Sequence, residues 1–258
     1  MTEPTIQLHV LDGGRIEILD WQLFQPDAGP GVRRWLADPC YLVVHPKGTL
    51  VWDTGLSDAL AEVPEGLTIP GVAVFHVDTT VQAQLAAAGH PAESVDFLAL
   101  SHFHPDHVGN VGLFTGATLL VQDDDHSAAF GATPGEHSFD PSTYAVLADR
   151  KTTVLHGDHD VFGDGTVVIT RLPGHTPGSQ GLLVRLPETG AVLLSGDLAH
   201  SLDNWNRRVV PGLNSDAEAT VRSFDRAAQV LAEQDAVLWI QHDAEQFATL
   251  HRSPEFYA

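Results

Sequence analysis

Ser101-His102-Phe103-His104-Pro105-Asp106-His107 decides the reading of this chain, and it follows directly on an apolar run at 95–100. Three imidazoles and one carboxylate fall within the six residues from His102 to His107. Imidazole and carboxylate are the usual protein ligands of zinc and related first-row metals. A short apolar run reads as a buried strand, so the cluster sits at a strand end, where packing gives no reason for such density. The competing reading is a His-rich surface turn. On a turn, His102 and His104 converge on one centre. Asp106 and His107 then face a second point nearby, with His107 entering a helix. Two centres follow because one ion that keeps an open position rarely takes four ligands from so short a segment.

Three later residues fill the missing places. His175 lies in Leu172-Pro173-Gly174-His175-Thr176-Pro177-Gly178, after a strand at 166–171. Asp197 ends a strand at 191–195 in Ser195-Gly196-Asp197, and His242 ends a strand at 236–241. All three sit where a rigid sheet aims side chains into a shared cleft. A single His in a turn is more often solvent-facing, so the ordered set carries the argument. His126, His137, His156 and His159 read as turn or surface residues.

Working outward, 5–10 and 15–20 read as a hairpin across Asp12-Gly13-Gly14. Residues 21–39 read as a long loop with Trp21, Phe24 and Trp35. A second hairpin pairs 41–45 with 49–53, and 56–78 is irregular and rich in Gly and Pro. A short helix spans 79–88, stopped by Gly89. Further strands fall at 118–122, 152–155 and 181–186. A long helix at about 215–233 has Ser215 and Glu218 in a capping-box pattern and an apolar stripe of Val221, Phe224, Ala228 and Leu231. The strand-turn-strand at 42–55 is echoed at 183–197. Each is followed by a helix and an apolar strand ending in His, which suggests two related β-rich halves in one domain, 1–258.

Bulk composition narrows the function classes. The chain has 258 residues and 43% hydrophobic content, enough for a substantial core and too much for disorder. Its formal charge is −21, and its only lysines are Lys47 and Lys151. No basic patch is visible, which argues against nucleic-acid and anionic-membrane partners. One cysteine, Cys40, excludes an intrachain disulfide and reads as a small buried side chain. No apolar run reaches the roughly 18 residues of a membrane helix, and Met1-Thr2-Glu3-Pro4 opens no signal sequence. A cytoplasmic enzyme is the default.

The ordered set resembles the metallo-β-lactamase fold superfamily. The residues that carry the resemblance are the His102-to-His107 motif, His175 in Gly174-His175-Thr176-Pro177-Gly178, Asp197, His242, and Asp53 in Asp53-Thr54-Gly55. The resemblance implies an α/β (α+β) fold, an αβ/βα four-layer sandwich with a dinuclear metal site at one edge of its two sheets. It implies His102, His104 and His175 on one metal, Asp106, His107 and His242 on the other, and Asp197 bridging. Asp53 is then a supporting or structural residue. Zinc is the expected ion, with cobalt, manganese and iron compatible with the same donors.

Within the superfamily the chain is most similar to the N-acyl-homoserine lactone lactonases, through Gly196 to His200, Asn204, Pro211 to Asn214 and the terminal His242-Asp243. Such enzymes act on a small-molecule lactone or ester, need neither nucleic acid nor membrane, and leave a homodimer open. The physics is general: two metals about 3.5–4 Å apart share a bridging water, lower its pKa and polarise the ester carbonyl. Asp106 passes a proton to the leaving alkoxide. One departure stands out: the family usually has a Tyr three residues after the bridging Asp, and this chain has His200. His200 donates a hydrogen bond to the reacting oxygen, lines the pocket or points away. Phe24, Phe75 and Trp205 are the pocket candidates. The rival readings are an ester, thioester or phosphotriester hydrolase of the same fold, and a metal-storage or sensing protein.

Overall fold

The structure, a computed structural model, describes residues 5–258. The opening residues 1–4, on which the absence of a signal sequence was read, lie outside the described residues. The first sheet comprises β1 (Gln7–Ile18), β2 (Arg34–His45), β3 (Gly48–Trp52), β4 (Leu67–Ile69), β5 (Ala73–His76), β6 (Phe97–Ala99), β7 (Thr118–Gln122) and β8 (Thr152–Leu155). Its order is β4-β5-β1-β2-β3-β6-β7-β8. The second comprises β9 (His159–Asp160), β10 (Val167–Arg171), β11 (Gln180–Leu186), β12 (Gly190–Leu194) and β13 (Ala236–Trp239), in the order β13-β12-β11-β10-β9. The helices are α1 (Val81–Ala87), α2 (Pro105–Val108), α3 (Asp123–Ala129), α4 (Pro141–Tyr144), α5 (Leu202–Arg207), α6 (Ala217–Gln234) and α7 (Ala244–Phe247).

The two-residue period of a strand sorts the side chains into layers. Leu8, Val10, Tyr41, Val43, Leu50 and Trp52 of the first sheet meet Val167, Ile169, Leu182, Val184, Val192 and Leu194 of the second in one core. The alternate residues Leu42, Val51, Leu98 and Leu119 turn outward and pack with Val81 and Leu85 of α1 and Ala129 of α3. On the far side, Leu183 and Leu193 pack with Phe224, Ala227 and Val230 of α6. Strands covered on both faces need apolar residues at both parities, and the result is the expected αβ/βα sandwich. Each fully buried aliphatic side chain contributes roughly 1.5–3 kcal/mol, so this core can support costly polar groups at its edge.

The internal echo has a topological counterpart. In the first sheet the β2–β3 hairpin is followed by α1 and then by β6, parallel to β3. In the second, the β11–β12 hairpin is followed by α6 and then by β13, parallel to β12.

Four local expectations are corrected. Asp12-Gly13-Gly14 is not a turn: β1 runs through it and pairs with β2 along its length, with a register shift between Asp12 and Arg15. The glycines make a bulge because a Cβ on Gly13 would lie 2.5 Å from the Asp38 carbonyl oxygen and 2.8 Å from Gly55 Cα. The loop at 21–39 is shorter than expected, since β2 begins at Arg34 and takes Pro39 opposite that bulge. Residues 56–78, expected to be irregular, hold β4 and β5, which extend the sheet beyond β1, and Pro70 and Gly71 lie in their turn. On α6 the N-cap is Asp216, which accepts from Ala219 N at 2.9 Å, not Ser215. Its buried face runs through Thr220, Ser223, Phe224, Ala227 and Val230, leaving Val221 and Ala228 exposed. Ser223 tolerates burial because its hydroxyl donates to the Pro173 carbonyl at 2.6 Å.

Candidate metal centre

The first ligand cluster is built by a change of backbone conformation. After β6 the chain bends at Ser101 and reaches His104, the extended N-cap of α2, and Pro105 opens the helix with its fixed φ. His102 and His104 therefore project from the bent connection before α2, and Asp106 and His107 from its first turn. Asp53, at the end of the adjacent β3, locks this junction. Its Oδ1 accepts from Ser101 N at 2.7 Å and its Oδ2 from His107 Nδ1 at 3.0 Å. Asp53 holds a left-handed φ of 56°, a strained conformation for a non-glycine residue. Thr54 adds two bonds, from its N and its Oγ1, to the His107 carbonyl, both 2.9 Å.

The second sheet supplies the remaining donors from strand ends. His175 sits in a turn between β10 and β11 closed by Leu172 N to Ser179 O at 2.8 Å. Asp197 follows β12 after Gly196, whose φ of 52° and close approach to Ser101 favour glycine. His242 follows β13, and its Nδ1 donates to the Ala37 carbonyl at 2.7 Å.

These seven side chains converge. Ligand-type atoms of His102, His104, His175 and Asp197 all lie within 4.8 Å of one another, as do those of Asp106, His107 and His242. Asp197 stands between the groups. Its Oδ2 is 3.4 Å from His175 Nε2 and 3.8 Å from His102 Nε2; its Oδ1 is 3.2 Å from His107 Nε2 and 3.1 Å from His242 Nε2. Asp106 reaches both His107 and His242 Nε2 at 3.8 Å.

The donor set fits divalent metal. His104 Nε2 donates to the His137 carbonyl at 2.9 Å, His107 Nδ1 to Asp53 and His242 Nδ1 to Ala37, so in each ring it is the other nitrogen that faces the cluster. His104 Nδ1 then lies 2.8 Å from His102 Nε2 and 3.0 Å from His175 Nε2. The single lone pair of His104 Nδ1 faces two ring nitrogens at once, and one cation would satisfy all three together. His107 Nε2 and Asp197 Oδ1 are buried without hydrogen-bond partners, which is costly unless a ligand completes them.

Electrostatics divides the set. Burial, reinforced by neighbouring imidazoles, holds His102 well below the usual histidine range; burial also lowers His104 and holds His175 well below that range. These rings are neutral and keep their lone pairs. Burial also opposes charge on His107 and His242, but the carboxylates around them win. Asp197, Asp53 and Asp106 push His107 well up, and Asp197 and Asp106 raise His242 to about 9. Burial works against the Asp197 carboxylate, yet His242, His107, His102 and His200 hold it well below the usual carboxylate range.

His200 faces the site. Its Nε2 is 3.2 Å from Asp197 Oδ2, its ring stacks on His242 at 14° and 5.4 Å, and it is buried. The alternative that it points away is overturned, because Phe24 closes on it with ring centroids 4.3 Å apart. Phe75 and Trp205 belong to packing instead. Phe75 is a strand residue against the Ile16, Trp21 and Phe24 cluster. Trp205 lies 5.5 Å from Phe224 in the core beneath α6. Trp21 is buried in the Ile16 cluster, and Trp35 lies exposed under Arg15. Among the other histidines, His137 ends a surface 3-10 turn, as expected, but its backbone also serves the site. Its carbonyl holds His104, and its Nδ1 meets Ser215 Oγ at 3.2 Å.

Three buried polar residues beside the site gave no sequence signal. Asp38 accepts from Leu56 N at 2.9 Å, and burial, reinforced by Asp106, pushes its carboxyl well up. Gln180 Nε2 donates to the Leu100 carbonyl at 2.8 Å, just before the His cluster. Asp125 bonds the turn that carries His175.

The metallo-beta-lactamase superfamily model matches residues 33–233, and the chain belongs to that superfamily. Among its relatives, the N-acyl homoserine lactonase AttM of Rhizobium radiobacter is 31% identical, over 98% of this chain and 99% of its own length. The N-acyl homoserine lactonase AiiA of Bacillus thuringiensis subsp. kurstaki is 26% identical, over 97% and 98%. An N-acyl homoserine lactone hydrolase solved with the product N-hexanoyl-L-homoserine bound at its catalytic metal center aligns with a TM-score of 0.85 at 25% identity. That match covers 98% of this chain and 99% of the solved one. Among the described residues, no helix is long and apolar enough to cross a membrane.

Proposed function

We propose that this chain is a dinuclear metal-dependent lactonase that opens the ester ring of N-acyl homoserine lactones. The carrying observation is Asp197, which turns one carboxylate oxygen to His102 and His175 and the other to His107 and His242. The lactone, among acyl substrates, is supported by full-length similarity to N-acyl homoserine lactonases. In this reading His102, His104 and His175 hold one cation, Asp106, His107 and His242 the other, and Asp197 both. The imidazole-rich donors favour zinc. Free, buried Cys40 and the acidic composition suit a cytoplasmic enzyme.

Two divalent cations held there supply Lewis acidity, which acidifies water and polarises an ester carbonyl. The protein side of the reaction follows from the geometry. Asp53 keeps His107 in one tautomer and orientation. Asp106, with its side chain 19% exposed, is the most accessible of the seven donors. Its carboxylate takes the proton lost as water adds to the carbonyl carbon. It returns that proton to the ring oxygen as the ester C–O bond breaks, leaving a hydroxy acid. His200, kept neutral by burial, would turn its Nε2 proton from Asp197 Oδ2 to the carbonyl oxygen as charge gathers there. Phe24 covers His200 and excludes water from that side.

The deciding experiment assays acyl-homoserine lactones, thioesters, β-lactams and phosphotriesters against one preparation of known metal content. About two ions per chain and the highest kcat/KM on acyl-homoserine lactones are expected. A thioester or phosphotriester preferred by tenfold or more would replace the substrate class, and metal uptake without turnover would favour storage.

A further inference from the structure

Asp125 is a carboxylate that neither the catalytic scheme nor the sequence motifs absorb. It lies on α3, immediately beyond β7, and is 2% exposed. Among the described residues it forms no ion pair. A buried carboxylate without a cationic partner is expensive, so what this position gains are its two directed hydrogen bonds. Both go to one turn. Oδ1 accepts from Gly178 N at 2.6 Å, and Oδ2 accepts from Thr176 Oγ1 at 2.8 Å, across 53 and 51 residues of chain. That turn carries His175.

The turn is braced elsewhere too. Thr176 N donates to Ser179 Oγ at 2.8 Å, while the Gly174 carbonyl accepts from Ser215 N and Asp216 N at 3.0 and 2.9 Å. Gly178 passes so close to α3 that a Cβ would lie 2.5 Å from Asp125 N. Beside it, Gln122 Nε2 donates to Gln180 Oε1 at 2.9 Å, and Gln180 N donates to the Ser101 carbonyl at 3.1 Å. The segment bearing His175 is thus stitched to the segment bearing His102 by buried polar bonds, and Asp125 supplies the pair nearest His175.

We propose that Asp125 is a positioning residue of the metal centre: it ties the His175 turn to the first sheet, so that His175 Nε2 meets the free nitrogens of His102 and His104. This rests on the reading of those residues as a metal site, and the two fail separately. Wild-type protein that takes up no zinc would end that reading, whereas the variants below address Asp125 alone.

The test is zinc affinity by chelator competition on Asp125→Ala, Asp125→Asn and Thr176→Val, with the core variant Leu186→Ala as a destabilised control. Asp125→Ala weakens one of the two ions about 10- to 100-fold and leaves the other within about threefold, the range for supporting residues. Asp125→Asn restores affinity to within about threefold, since its amide accepts from Gly178 N and donates to Thr176 Oγ1. Leu186→Ala lowers Tm and leaves both affinities unchanged. Unchanged zinc affinity in Asp125→Ala, or an equal loss in Leu186→Ala, overturns the proposal. Should Asp125→Ala not fold, Thr176→Val decides: a loss of about tenfold in one site supports the role, and unchanged affinity overturns it.

Discussion

The two sheets contribute to the centre in opposite ways. The first presents His102, His104, Asp106 and His107 from one junction, where the bent chain after β6 gives way to the first turn of α2. The second presents His175, Asp197 and His242 from three separate strand ends. In the first, a short connection turning into a helix sends the side chains in two directions, and Asp53 and Thr54 fix it. In the second, register does the work. β12 and β13 are parallel with Leu194 opposite Trp239, so Asp197 and His242, each three residues further on, emerge at the same level. His102 likewise lies three residues beyond Ala99, which pairs with Trp52. A compact motif therefore needs one junction and its braces, while a dispersed one needs the whole sheet.

Substitutions separate these contributions. The largest effect belongs to the residue that joins them. Asp197→Ala lowers metal content below one ion per chain and kcat/KM on an acyl-homoserine lactone by about 10³-fold or more; retention of both ions would show that each half holds its cation unaided. A smaller loss follows when one half is damaged. His104→Ala removes one ion, retains the other, and lowers kcat about 10²-fold, checked by metal analysis beside turnover; full metal content with full activity would refute the assignment.

Next comes a residue that touches the donors without being one of the seven. His200→Phe keeps both ions and lowers kcat roughly 10- to 100-fold, with a smaller change in KM. An unchanged kcat would reduce His200 to a wall of the pocket.

The smallest effect concerns the scaffold alone. His9, on β1, is buried with neither ring nitrogen hydrogen-bonded. Burial, then nearby His90, lowers its pKa from 6.5 to about 4. Below pH 6.5 the unfolded chain takes up this proton and the folded chain does not, so stability falls as pH drops from 6.5 towards 4. His9→Phe flattens that slope in urea unfolding of metal-free protein. An identical slope in the variant would assign the acid sensitivity to other groups.

Strands covered on both faces were legible because their apolar runs are continuous; 118–122 and 152–155 coincide with β7 and β8. The long β1 was read as two strands, because Gly13-Gly14 looks the same in a turn and in a bulge. Only the approach of Gly55 separates the two. On α6 the apolar stripe misled because Thr220 and Ser223 face inward, their hydroxyls bonded to Asn214 and Pro173. In the site, the seven donor residues were named in advance and are brought together. Of their supports only Asp53 was foreseen, since Asp38, Asp125 and the His137 carbonyl act through contacts with distant chain.

Read alone, the chain specified which donors exist, that they stand at strand ends, and that one position near them carries His200. Those features are local: residue chemistry, the strand period and spacing. Folding was required to choose which nitrogen of each imidazole faces inward and to split Asp197 between the two groups. Those choices depend on bonds to Ala37, His137 and Asp53, and on strand register across the second sheet. A hydrogen bond between residues far apart in sequence exists only once the sheets have placed both partners.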